Sequence, residues 1–189
     1  MMLFAMAMPD ARSGHNSRQL DALIAQMALG DKEALASFYE STKAAVYGFA
    51  LSILKDVDHA EDITQDTYLQ IYRNAASYRS QAKPLAWVMT ITRNLAHSHL
   101  REQGRNLPLE DAHLAQLSHN PMVDQDDLLT LDTLLSLLDD QERQIVTLHA
   151  LTGLKHREIA QLLSLPLPTV LSKYHRSIKK LNAVWKEAD

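Results

Sequence analysis

The sequence predicts an all-α protein of two small helical domains joined by a flexible acidic linker. Three observations carry that expectation: glycine is scarce, at 5 of 189 residues, β-branched runs are absent, and apolar residues recur at helical spacing nearly throughout. The apolar fraction of 46% is ordinary for a globular chain, and the length suffices to bury a core without covalent staples.

The elements follow in order. Residues 1–18 read as a disordered tail, because the apolar start "MMLFAMAM" is short, lacks a basic leader and runs into "PDARSGHNSRQ", which makes a poor signal peptide. Leu35, Phe38, Val46, Phe49, Ile53 and Leu54 build one amphipathic helix that stops near "KDVD". Asp58 and Glu61 then have the spacing of an N-cap and its reciprocal partner, opening a helix through Ile63, Tyr68 and Ile71. Pro84 suits a first helical turn, and the helix it opens runs on to about Arg101. Val88, Ile91 and Leu95 face inward there, with Thr90, Asn94, His97 and Arg101 outward. These helices make a first domain at 19–103. Residues 104–125 lose periodicity, carry Gly104, Pro108 and Pro121, and form the linker. A second domain at 126–185 begins with a leucine-rich helix from Leu128 to Leu138. A capping box at Asp139 and Glu142 follows, and Gly153 terminates the next helix. It closes in "IAQLLSLPLPTVLSKYHR", two short helices broken at Pro166 and Pro168.

Composition excludes several classes. No cysteine is present, which removes disulfides, thiolate ligands and thiol nucleophiles and suits a reducing cytoplasm. No run approaches the roughly 18 apolar residues that span a bilayer. The 9 histidines are scattered from His15 to His175 without an HExxH, so neither a metal nor any other cofactor is expected.

The net charge of −4 argues against nucleic acid until its distribution is read. Arg73, Arg79, Lys83, Arg93, Arg101 and Arg105 form one basic block against Glu102 alone. Lys155, Arg157, Lys173, Arg176, Lys179 and Lys180 form another against Glu158. The stretch from Asn106 to Asp140 holds acids and neither Lys nor Arg, and is expected to screen both basic faces in the free protein. Two cationic blocks so separated imply two phosphate-facing surfaces.

In the C-terminal hairpin, Ile159, Ala160 and Leu163 are placed to pack on Val170, Tyr174, Ile178 and Leu181. That turns Thr169, Ser172, Lys173, Arg176 and Lys180 outward. A helix showing hydroxyls and cations suits a major groove; the bland alternative is a solvated charged helix. In "HAEDITQDTYLQIYR", Glu61, Asp62, Gln65 and Asp66 cluster on consecutive turns. Acid–base chemistry would need these carboxylates to converge in a pocket, which one exposed helix does not supply. A solvated face and a partner-binding face stay open there.

Three blocks together carry a resemblance: "HAEDITQDTYLQIYR", "AWVMTITRNLAHSHLREQGR" and "GLKHREIAQLLSLPLPTVLSKYHRSIKKL", in that order. Over about Asp21 to Leu181 the chain resembles a bacterial extracytoplasmic-function (ECF) sigma factor of the sigma-70 family. The resemblance implies a non-enzymatic, cytoplasmic promoter-specificity subunit without cofactors. Its implied partners are core RNA polymerase, through the clamp helices of the largest subunit and the flap of the second largest, promoter DNA, and an anti-sigma protein. It would act without membrane insertion, as a monomer or a heterodimer with the anti-sigma. Core binding would fall to Glu61, Asp62, Gln65, Asp66, Leu69 and Arg73. The minus-ten element would meet Tyr78, Arg79, Ser80, Lys83, Arg93, Asn94, His97 and Arg101, with Tyr78 and Asn94 receiving a flipped base and Trp87 packing structurally. The minus-thirty-five element would meet Thr169, Ser172, Lys173, Arg176, Lys179 and Lys180.

The chain also departs from that pattern. Pro84, Leu85 and Ala86 precede Trp87 where the family usually has Phe-Arg before Thr-Trp. Lys155 and His156 replace a Ser-Tyr that would cap the next helix. Leu171 stands where a Lys is usual. Two other functions compete: a polymerase-independent helix-turn-helix regulator, which leaves the block from Glu61 to Arg101 unexplained, and a helical metallohydrolase, which needs a convergent His-Asp spacing that the chain lacks.

Overall fold

A computed structural model describes residues 12–80, 83–106 and 137–187, and among these every regular element is helical. Helix α1 (Arg12–Ala28) begins inside the stretch expected as a tail, of which residues 1–11 lie outside the described ones. Asp31 caps α2 (Lys32–Leu54) by accepting the N–H groups of Glu33 and Ala34 at 2.8 and 3.2 Å. The helix stops at Lys55, whose φ of 58° is left-handed and whose N–H returns to the Leu51 carbonyl.

That turn moves the next cap two residues upstream of its expected place. Asp56 rather than Asp58 accepts the His59 N–H at 2.8 Å, and α3 runs from Val57 to Asn74. Asp58 lies in the first turn instead, where a carboxylate meets the positive end of the helix dipole. A 3₁₀ turn (Ala75–Ser77) leads to α4 (Pro84–Asn106), which opens at proline as predicted.

The first bundle closes over Leu20, Ile24, Phe38, Val46, Phe49, Ile71, Val88 and Met89, each almost fully buried. Its buried threonines are hydrogen-bonded. Thr42 Oγ1 donates to the Phe38 carbonyl at 2.7 Å and accepts the Tyr68 hydroxyl at 2.8 Å.

The C-terminal bundle has α5 (Asp140–Thr152), α6 (His156–Leu163) and α7 (Leu167–Glu187). The predicted capping box is present: Asp139 accepts the Glu142 N–H at 2.7 Å and Glu142 accepts the Asp139 N–H at 3.1 Å. Gly153 ends α5 with φ 66°, and Ser164 ends α6 with φ 57°. Ile145, Leu148, Ile159, Ala160, Leu163, Val170 and Leu181 are buried, so the α6–α7 hairpin is internally packed as expected. The leucine-rich stretch from Leu128 and the linker lie outside the described residues, except that residues 104–106 continue α4 and that Leu137 and Leu138 form the turn before α5, not the end of a helix.

The two bundles rest on one another, with α2 against α5 and α4 against α6, and most of their buried side chains form one continuous core, with Leu138, Val146 and Leu181 in a smaller cluster of their own. Gly48 permits this closeness. A Cβ there would sit 2.5 Å from Leu151 Cδ1. Two ion pairs flank the seam, Lys55 with Asp140 at 2.6 Å and Lys83 with Glu158 at 3.1 Å. Of the acidic stretch expected to screen the basic faces, only Asp139 and Asp140 are described: Asp139 pairs with Lys173 of the second basic block, whereas Asp140 pairs with Lys55, which belongs to neither.

Candidate nucleic-acid interface

Burial of Ala60, Ile63, Thr64, Thr67, Tyr68 and Ile71 on one side of α3 fixes what the other side shows. Glu61, Asp62, Gln65, Asp66, Leu69 and Arg73 are all exposed on that side. Leu69 stands 53% exposed amid acidic neighbours, the composition of an interface centre inside a charged rim. All six residues expected at the polymerase are thus brought together.

The second constellation joins the segment after α3 to α4. Tyr78 donates to Asp21 Oδ1 at 2.6 Å, and Ser80 donates to Asp21 Oδ2 at 2.9 Å. The Tyr78 ring leans on Trp87, centroids 4.6 Å apart, so the tyrosine expected to stack a flipped base is engaged on both its ring and its hydroxyl. Burial first, then the Asp21 carboxylate, push its phenol well above the ordinary range. Trp87 packs as expected, half-buried against the core.

Arg93, Asn94, His97 and Arg101 line one open groove of about 480 Å³ together with Leu100. Burial, then the Arg93 and Arg101 charges, lower the His97 pKa, which keeps its imidazole neutral between two guanidinium groups. Arg93 Nε is buried with no protein partner. Arg79 is exposed in the segment between the 3₁₀ turn and α4, whereas Lys83 is held by Glu158 of α6.

On α7 the structure corrects the expected outward face. Ser172, Arg176 and Lys179 are exposed, and Thr169 is half-buried. Lys173 instead donates to Asp139 Oδ2 at 2.8 Å, and Lys180 to Glu142 Oε2 at 2.6 Å. The cause is the pair of acids at the start of α5: Asp139 draws Lys173, and Glu142, which is fully buried, draws Lys180, with Arg176 4.0 Å from its other oxygen. Burial raises the pKa of Glu142, but bonds from Lys180 and the Asp139 N–H outweigh it and hold the carboxyl below its usual range. Sequence reasoning missed Leu167, Leu171 and His175, which are exposed in their place. The signal was present as an i, i+4 row ending at Lys179.

Two family descriptions match the chain in the order of these sites: Sigma-70 region 2 over residues 38–106 and Sigma-70, region 4 over residues 128–181. The ECF RNA polymerase sigma factor SigK of Mycolicibacterium vanbaalenii is 34% identical over 172 residues, covering 86% of this chain and 87% of that protein. The chain belongs to the ECF sigma factors of the sigma-70 family. SigK of Mycobacterium tuberculosis is 30% identical to this sigma factor over 175 residues, covering 87% of it and 92% of the relative. Two solved structures share the fold. The sigma factor RpoE in complex with the anti-sigma factor NepR, from Bartonella quintana, aligns with TM-score 0.65 at 24% identity, over 79% of this chain and 97% of that one. CnrH in complex with the cytosolic domain of CnrY aligns with TM-score 0.61 at 21% identity, over 90% and 99%.

Among the described residues, several histidines of this sigma factor lie against other rings. His59 lies against His99 at 4.4 Å, and His149 stacks on His156 at 4.7 Å with Tyr174 closing the cluster. Among the described residues no group of three or more histidines and acids is placed to hold a metal, and no helix is long and apolar enough to cross a membrane.

Proposed function

We infer that this alternative sigma factor joins core RNA polymerase through the exposed α3 face centred on Leu69 and directs it to promoters. The α4 groove and the loop before it meet the minus-ten element, and α7 meets the minus-thirty-five element. The observation that carries this reading is the separation of signs on one scaffold: an acidic face on α3, away from cationic surfaces on α4 and α7. The acidic face suits a protein partner, since it would repel DNA, while the other two suit phosphate.

The sigma factor contributes no bond-making of its own, and its work is placing and opening DNA in the cytoplasm. Melting is supported by the α4 groove, where Asn94 offers an amide to a base edge and Arg93 and Arg101 offer charge to the strand. An anti-sigma partner fits the closed arrangement, because a protein that holds the bundles together keeps Lys83 on Glu158 and away from DNA.

The test is affinity for core polymerase. Leu69→Glu removes the apolar centre and is expected to weaken binding at least about 30-fold, the effect of losing an interface hot spot, with the melting temperature unchanged because Leu69 is exposed. Undiminished binding would refute the α3 assignment.

A further inference from the structure

The exposed edge of α7 is apolar at its start. Leu167 and Leu171 are each 36% exposed, and with His175 and Lys179 they make a row along the solvent side of the helix. Polar neighbours are committed elsewhere: the Ser172 hydroxyl donates to the Thr169 carbonyl at 3.0 Å, Lys173 is held by Asp139, and Lys180 by Glu142. Arg176 and Lys179 stay exposed one to two turns further on, where they can grip phosphates.

The second helix of a helix-turn-helix meets base edges with its N-terminal residues. An apolar side chain there has one partner of its own chemistry in the major groove, the 5-methyl group of thymine. We propose that Leu171 is a specificity-determining residue that reads a thymine methyl in the upstream promoter element. The proposal rests on the contact of α7 with that element. DNA rather than a protein surface is the occupant, because exposed Arg176 and Lys179 flank the apolar edge and complement a polyanion.

Holoenzyme reconstituted from bacterial core polymerase and this chain is used to select promoters from DNA randomised across the upstream element, with wild type, Leu171→Ala and Leu171→Lys. The wild type is expected to enrich a thymine that Leu171→Ala no longer selects. Leu171→Lys should replace it with guanine, whose O6 and N7 accept from an ammonium. Deoxyuridine at that position, which lacks only the methyl, should weaken the wild-type complex about four-fold, the worth of one buried carbon, and leave Leu171→Ala unaffected. The deoxyuridine arm needs no variant to fold. An enriched element identical in wild type and Leu171→Ala, or deoxyuridine without effect at each of its thymines, overturns the role of Leu171 while the promoter contact of α7 stands. No upstream enrichment by wild type overturns both.

Discussion

Gly48→Trp is predicted to part the two bundles while leaving each of them folded. The magnitude follows from the seam. A Cβ at position 48 would lie 2.5 Å from Leu151 Cδ1 and 3.9 Å from Thr147 Cγ2. Leu151 is 48% exposed, so its tip can swing into solvent to admit one methyl. Gly48→Ala should therefore stay closed, and it should gain up to about 1 kcal/mol from helix propensity. An indole is too large for that relief, and overpacking of this kind costs about 1–3 kcal/mol. The ion pairs across the seam cannot resist it, since Lys55 and Lys83 are half exposed and such pairs are worth at most about 1 kcal/mol each. The open population should rise about 5- to 150-fold. Because the chain has no cysteine, spin labels on Ala44→Cys and Gln161→Cys would report the distance between α2 and α6 by electron–electron double resonance. A Trp variant with the wild-type distance distribution, or an Ala variant as open as the Trp one, would refute the role given to Gly48.

Three further outcomes follow from single groups. Thr42→Val leaves the buried Tyr68 hydroxyl without its acceptor and should cost about 1–3 kcal/mol in denaturant unfolding, most of which adding Tyr68→Phe should restore. Lys155 sits at the N-cap of α6 with no acceptor to offer, although Glu158 still accepts its N–H at 2.9 Å, so Lys155→Ser should stabilise the C-terminal bundle by about 0.5–2 kcal/mol. Burial alone would raise the Asp139 and Glu142 carboxyls, yet their bonds to Lys173, Lys180 and the capping N–H groups leave both below their ordinary range. Depressed carboxylates stabilise the fold above the ordinary value near about pH 4, and that stability is lost as pH falls through the folded values. His156, lowered by burial and then by His149 and His175, begins an earlier loss below about pH 6.5. Thermal melts followed by circular dichroism should fall on acidification in that order, and a rise would contradict the assignment.

What was legible in the sequence was local. The Asp139–Glu142 box, the Gly153 stop and the proline start of α4 each depend on residues a few positions apart, and each formed as read. The α3 face was legible because burial of one side leaves only the other. The cap at Asp56 was missed because Asp58 offers the same chemistry two residues on. Only the left-handed turn at Lys55 decides between them. The outward face of α7 was half right for a similar reason: periodicity grouped Lys173 and Lys180 with Arg176, but their direction is set by acids 34 and 38 residues away in sequence. Tyr78 was assigned by resemblance, and its bond to Asp21 spans 57 residues, beyond the reach of any local pattern. The closing of one bundle on the other left only Gly48 as a trace, a helix-interior glycine with nothing nearby in sequence to explain it.

Single-round transcription from a promoter library with core polymerase, with and without this chain, tests the central claim most directly. Initiation should depend on the chain, arise from a subset of promoters, and be lost or redirected by Asn94→Ala in the α4 groove and by Arg176→Ala on α7. DNA binding by the protein alone with no initiation on any promoter would contradict the account and favour a regulator that works without polymerase.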